Sequence, residues 1–103
     1  MKSLNNLKEF DALLKNEDKL IVIDFTATWC PPCKMIGPIF EAMAAKFPDA
    51  ILVKVDVDAA SDIAEKCGIS AMPTFQYYKN GVKVGETCGA DAEKIKALIV
   101  EHM

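Results

Sequence analysis

Hydrophobic residues follow two different spacings along this chain, and the order of these spacings predicts a sheet flanked by helices. Near-continuous apolar runs at Leu20–Thr26 and Ile51–Val57 are typical of buried parallel strands. Apolar positions three and four residues apart predict helices instead. We expect four helices, at Asn6–Lys15, Cys33–Phe47 and Asp62–Cys67 and after Asp91, which would cap the last one.

Turn residues and prolines mark where these elements end or bend. Thr74–Tyr78 and Val82–Thr87 flank Lys79-Asn80-Gly81, which predicts a β-hairpin with a type I′ turn. Gly68 follows the third helix, where a left-handed residue commonly ends a helix. Pro38 interrupts the second helix. Because the apolar pattern continues on both sides of it, we expect one kinked helix rather than two.

The composition narrows the class of protein. The chain has 103 residues, of which 51% are hydrophobic and 26% charged. One domain of this size can bury a core without disulfides or metal ions to stabilise it. A net charge of -3, with both signs interspersed, argues against a nucleic acid partner. Neither a leader-like apolar segment nor an uncharged run of membrane-spanning length is visible. We therefore expect a monomeric cytoplasmic protein that does not contact membranes.

The chemistry-bearing feature is a pair of cysteines two residues apart, directly after the first apolar strand. At such a strand-to-helix junction, Cys30 lies where unpaired backbone N–H groups stabilise a thiolate, and Cys33 follows one turn later. Pro32 suits the first helical turn because it has no N–H to leave unpaired. This arrangement favours a disulfide that opens and closes reversibly.

Two other interpretations of the cysteine pair are half of a zinc site and a structural disulfide. A zinc site needs two further ligands at suitable spacing. Cys67 and Cys88 are isolated in the sequence, and the only histidine, His102, lies near the end of the chain. Redox chemistry is therefore favoured over both, and we expect no metal.

Two further positions can each be interpreted in two ways on pattern alone, whereas a third has one expected form. Asp24 interrupts an apolar strand, so its carboxyl is either buried, with a raised pKa, or solvated at an edge. Trp29 is either a core residue or a shield beside the reactive thiol. For the Met72–Pro73 bond, pattern alone favours the trans form.

Five stretches of the sequence resemble the thioredoxin family, in the same order and at fitting separations. They are Val22–Cys30, Cys33–Pro38, Val53–Asp58, Met72–Phe75 and Gly89–Ala90. The resemblance covers nearly the whole chain. It implies an α/β thioredoxin fold in a single domain, residues 1–103. Its central mixed sheet would have four to five strands, flanked by four helices.

The resemblance also implies roles for individual residues. Cys30 becomes the nucleophile and Cys33 the resolving thiol, while Asp24 becomes a buried proton carrier with Lys54 nearby. Pro73 becomes a cis-proline that faces the disulfide and offers backbone to a client peptide. An apolar patch for clients would then comprise Trp29, Pro31, Pro32, Met72, Pro73, Gly89 and Ala90, with Cys88 beside it as a candidate regulatory thiol.

The implied activity is reduction of protein disulfides, such as those of peroxiredoxins, followed by regeneration through an NADPH-dependent flavoprotein reductase. We expect no bound cofactor, because the chain has no glycine-rich phosphate loop. An oxidase or isomerase of similar fold is an alternative. So is a redox-gated binding module with incidental turnover.

One active-site position departs from the family pattern. Pro31 lies where a glycine is most common, as it does in some plant and protozoan relatives. Because proline lacks an N–H and stiffens the turn, we expect it to change the relative stability of disulfide and dithiol.

Overall fold

The computed structural model describes residues 1–16 and 18–103, and it contains four helices and four strands within those ranges. The predicted order of elements is confirmed, with boundaries that differ by one or two residues. The elements are α1 (Leu7–Asn16), β1 (Leu20–Thr26), α2 (Pro31–Lys46), β2 (Ala50–Asp56), α3 (Ser61–Lys66), β3 (Thr74–Lys79), β4 (Val82–Cys88) and α4 (Ala92–His102).

The four strands form one mixed sheet in the order β2-β1-β3-β4. β1 pairs with β2 in parallel, and the β1–β3 and β3–β4 pairs are antiparallel. The outer edge of β2 is not bare, because Ser3 forms an isolated parallel bridge with Lys54. Leu4 N donates to Lys54 O at 2.9 Å, and Lys54 N donates to Lys2 O at 3.1 Å. The first residues of the chain thus protect a strand edge.

Helices cover both faces of the sheet, so the core has two halves. Alternate residues of each strand point to opposite faces, which assigns Val22 to one half and Ile23 to the other. The α2/α4 half contains, among others, Leu20, Val22, Ile36, Phe40, Phe75, Tyr77, Ile95 and Ile99. The α1/α3 half contains Phe10, Ile21, Ile23, Phe25, Val53, Val55, Ile63 and Tyr78, among others.

Helix α2 begins two residues earlier than predicted, at Pro31, which makes Cys30 its N-cap. The helix is continuous through Pro38, as the unbroken apolar pattern predicts. Its buried residues Ile36, Phe40 and Met43 anchor it to the sheet on both sides of the proline. Tertiary packing thus compensates for the missing backbone hydrogen bond.

The predicted turn signals are confirmed by backbone geometry. Asn80 and Gly81 have φ values of 53° and 79°, as a type I′ turn requires at both central positions. Gly68 has φ 68° at the end of α3. Its N–H donates to Glu65 O at 3.1 Å, and Ile69 N donates to Ala64 O at 3.1 Å, which completes a Schellman motif.

None of the described helices combines the length and the apolar composition needed to cross a bilayer.

The N-cap of α4 follows the prediction, because the Asp91 side chain accepts a hydrogen bond from Lys94 N at 3.2 Å.

Candidate active site

A disulfide joins Cys30 and Cys33 where the chain passes from β1 into α2. The two Cα atoms are 5.2 Å apart, which is the ordinary span of a disulfide. Cys30 has extended backbone and caps the helix from outside, whereas Cys33 lies within its first turn. Both side chains are buried, with 4% of Cys30 and 2% of Cys33 exposed. The two cysteines thus occupy different local environments.

The start of α2 directs a single backbone donor at the Cys30 sulfur. Pro31 and Pro32 occupy the first two helical positions, and neither has an N–H. The next residue, Cys33, donates its N–H to Cys30 Sγ at 3.3 Å. This hydrogen bond and the positive end of the helix dipole favour negative charge on Cys30 once the disulfide opens.

Asp24 is buried on the α2/α4 face of β1, with only 3% of its surface exposed. Its Oδ1 atom has no hydrogen-bond partner among the described residues. Burial raises the pKa of this carboxyl from 3.8 to about 7, and the positive charge of Lys54 opposes the shift. The solvated alternative for Asp24 is therefore wrong. The carboxyl can exchange a proton near neutral pH.

A cavity of about 210 Å³ joins Asp24 to the second cysteine. Asp24 and Lys54 are direct partners in the parallel β1–β2 register, so their side chains leave the sheet on the same face. Both line the cavity together with Cys33, and Lys34 and Glu41 lie at its α2 wall. Cys30 is not among the described residues that line this cavity, so the cavity brings Asp24 and Lys54 together with Cys33 alone of the two cysteines.

Trp29 is not a core residue, because 63% of its surface is exposed. Its indole Nε1 donates a hydrogen bond of 2.7 Å to Asp58 Oδ2. Asp58 is itself held by its backbone N–H, which donates to Asp56 Oδ1 at 2.9 Å. Asp58 therefore orients the indole beside the disulfide. No local pattern in the sequence assigns this role to Asp58, although Asp58 ends one of the five family-like stretches.

The Met72–Pro73 peptide bond is cis, and this turn lies against the cysteines. The Met72 side chain packs on the buried cluster formed by Ala27, Cys30 and Cys33. Pro73 is buried, and its carbonyl accepts a hydrogen bond from Gly89 N at 2.9 Å. The loops that contain Met72 and Gly89 are thereby joined.

The predicted client patch is brought together in part. Trp29, Pro31 and Pro32 are exposed, and Met72 and Gly89 are half-buried. Pro73 presents little surface because it is buried, and half-buried Ala90 packs against the α2/α4 core. The exposed apolar surface beside the disulfide thus consists mainly of Trp29 and the two prolines.

The two remaining cysteines are free thiols in different surroundings. Cys67 is half-buried at the end of α3, where it packs against the α1/α3 core, and burial raises the pKa of its thiol. Cys88 is exposed at the end of β4. Its Sγ lies 3.6 Å from Thr74 Oγ1, and Thr74 directly follows Pro73.

Comparison with known proteins agrees with this geometry. Residues 2–101 match the family model described as thioredoxin. A thioredoxin of Ophiophagus hannah is 50% identical over 104 residues, covering 100% of this chain and 99% of that protein.

Solved structures give the same result. The X-ray structure of Fasciola hepatica thioredoxin superposes with a TM-score of 0.97 at 38% identity, covering 100% of both chains. Oxidised mitochondrial thioredoxin 3 of Saccharomyces cerevisiae has a TM-score of 0.93 at 42% identity, covering 98% of this chain and 94% of that one. This chain therefore belongs to the thioredoxin family and is a thiol–disulfide oxidoreductase.

Proposed function

We propose that this protein reduces client disulfides by a two-step exchange in which Cys30 attacks first. The Cys30 thiolate bonds to one client sulfur and releases the other as a thiolate. Cys33 then attacks Cys30, which breaks the mixed disulfide and releases the second client thiolate. Two electrons pass to the client, two protons complete its thiols, and the Cys30–Cys33 disulfide remains.

The observation that carries this assignment is the difference between the two sulfurs. Cys30 Sγ faces the Cys33 N–H at the start of α2, which stabilises a thiolate before any client arrives. Cys33 shares a cavity with Asp24 and Lys54 and lies inside the helix. A thiol without such a backbone donor needs a base to become a nucleophile, and Asp24 is the acid–base group that shares its cavity.

Lys54 has a supporting role in this proposal. Its positive charge lowers the pKa of Asp24 against the effect of burial, and so keeps it close to neutrality. Asp24 then accepts the Cys33 proton as the mixed disulfide resolves, and passes it on to solvent or to the departing client thiolate.

Clients are held by the surface around the disulfide. Trp29, Pro31 and Pro32 provide exposed apolar contact, and the backbone of the Met72–Pro73 turn provides hydrogen-bonding groups. Because the Pro73 carbonyl is already bonded to Gly89 N, the Met72 backbone is the group available to an extended peptide. Such contacts suit many peptide sequences.

The physiological setting completes the proposal. An NADPH-dependent flavoprotein reductase regenerates the dithiol, and the clients include peroxiredoxins. The protein acts as a cytoplasmic monomer without a bound cofactor. The family resemblance supports the reductase and the clients. The net charge of -3 supports a monomer.

Trapping experiments test the order of attack. Cys33→Ser should accumulate mixed disulfides with a disulfide-containing client, because the resolving step is missing. Cys30→Ser, the matched control, should accumulate almost none. Thiolate titration by absorbance should place the pKa of Cys30 below the free-thiol value of about 8.5. Equal trapping by the two variants would refute the assignment.

Catalytic turnover separates this function from the redox-gated binding module. With dithiothreitol as electron source, the wild-type protein should reduce insulin over many cycles. A binding module would hold its partner in the dithiol form and give little more than one equivalent of reduced insulin.

A further inference from the structure

A cavity of about 610 Å³ lies on the α1/α3 face of the sheet, and the disulfide does not line it. This volume falls within the range of about 300–1,000 Å³ that is usual for small-molecule sites. Its walls come from α1, the end of α3, β3 and the start of β4. Gly81 of the β3–β4 turn also lines it, and this turn lies at the end of β3 farther from Pro73. The disulfide mechanism gives this cavity no role.

The inner wall of the cavity is aromatic and aliphatic. Phe10 and Tyr78 meet edge to face, with ring centroids 5.9 Å apart and planes at 87°. Leu14, one turn further along α1, extends the same wall. Phe10 is 3% and Tyr78 9% exposed, so this wall is firmly packed, and half-buried Leu14 is the most accessible of its three residues.

The polar groups of the floor are already satisfied within the protein. Tyr78 OH donates to Gln76 Oε1 at 2.7 Å. Gln76 Nε2 donates to Cys67 O at 3.3 Å and to Glu86 Oε1 at 2.8 Å. Gln76 is only 1% exposed, so this network holds it in one orientation. A ligand therefore needs no polar group at depth, and polar recognition is confined to the rim.

The rim is cationic in a protein whose net charge is negative. Lys15, Lys66 and Lys83 line the cavity against a single acid, Asp11. Lys66 lies 3.2 Å from Asp11, and Lys83 lies 3.5 Å from Glu86, a residue outside the lining. Both pairs are exposed, and exposed ion pairs add little to stability. A ligand anion can therefore compete for these lysines.

We propose that this cavity binds a small amphipathic anion. Its aromatic or alkyl body lies against Phe10, Leu14 and Tyr78, and its carboxylate, sulfonate or phosphate group meets the rim lysines. The rim charge selects anions over neutral molecules of the same shape.

A matched pair of probes tests this selection. 8-Anilino-1-naphthalenesulfonate and N-phenyl-1-naphthylamine share their ring systems and differ by the sulfonate. 8-Anilino-1-naphthalenesulfonate should bind about tenfold more tightly than the neutral probe at low salt. This difference in affinity should shrink as salt screens the lysines. Lys15→Gln and Lys83→Gln should each weaken binding of the sulfonate several-fold. Lys96→Gln, exposed beside the α2–α4 groove, is the control and should not.

The Cys67 thiol at the cavity wall reports where the probe binds. In oxidised protein carrying Cys88→Ser, Cys67 is the one free thiol. Saturating sulfonate should slow its alkylation by N-ethylmaleimide several-fold, measured by mass spectrometry. Equal affinity for the neutral probe, an unchanged alkylation rate, or an equal effect of Lys96→Gln would each overturn the proposal.

Discussion

Replacing Asp24 by asparagine should stabilise the oxidised protein at neutral and alkaline pH. The side chain is 3% exposed and burial raises its pKa from 3.8 to about 7, so folding favours the protonated, neutral form. Below pH 3.8 the carboxyl is protonated in both folded and unfolded chains. Its favourable contribution is fully present there and is lost as pH rises to about 7.

The two pKa values set the size of the effect. Between pH 3.8 and about 7 the folded protein holds one proton more than the unfolded chain at this site. The free energy of unfolding should therefore fall by about 1.4 kcal/mol per pH unit, and the total should reach roughly 4 kcal/mol. Asparagine has nearly the same shape and no charge. The variant should thus gain up to about 4 kcal/mol over wild type at pH 8, and little at pH 4.

Urea denaturation followed by far-ultraviolet circular dichroism, at several pH values from 4 to 8, measures this difference. Asp49→Asn is the control, since Asp49 is exposed after α2 and does not line the cavity that holds Asp24. In the same variant series, Asp24→Asn should slow insulin reduction by about tenfold or more through loss of acid–base assistance. An Asp24→Asn gain that is equal at pH 4 and pH 8, or a variant less stable than wild type throughout, would refute the reasoning.

Four further substitutions test other parts of the site and of the fold. Lys54→Gln removes the charge that opposes burial, so the pKa of Asp24 should rise further. Because Asp24 acts as a base, the acidic side of the activity profile should move to higher pH with it. Gly68→Ala should cost about 1 kcal/mol because φ is 68° there, although no atom lies within 4 Å of the added carbon. Gly37→Ala inside α2 should instead gain about 0.5–1 kcal/mol, as measured by urea denaturation. Cys88→Ser should preserve activity through mild oxidation that inactivates wild type by adduct formation at this exposed thiol; identical loss and recovery in both proteins, with no adduct at Cys88 by mass spectrometry, would show that the thiol is structural.

Features that depend on a few adjacent residues could be predicted from the sequence. Features that depend on which element packs over a residue could not. The Asn80–Gly81 turn and the Gly68 helix end depend on a few adjacent residues, and both appear as predicted. The burial of Asp24 depends on α2 lying across β1, because strand alternation gives the face of a residue but not the depth of what covers it.

Two other features were beyond the sequence pattern for a related reason. Trp29 is an apolar residue whose place in the core is the usual expectation, yet its indole N–H reaches Asp58, which lies 29 positions later. The cavity on the α1/α3 face brings Phe10, Cys67 and Tyr78 together from three elements. No single periodicity connects such residues, so only the folded arrangement makes them a site.

The fold gives two cysteines that are close in sequence different surroundings. The chain leaves β1 and enters α2 within four residues, so Cys30 meets the outer end of the helix while Cys33 lies inside it. The parallel β1–β2 register then places Lys54 beside Asp24 on the face that α2 covers. Since α2 lies over that face, Asp24 and Lys54 share a cavity with Cys33, and Cys30 does not line it. Any change that shifts this register by one residue would turn the Lys54 side chain to the opposite face and remove its influence on Asp24.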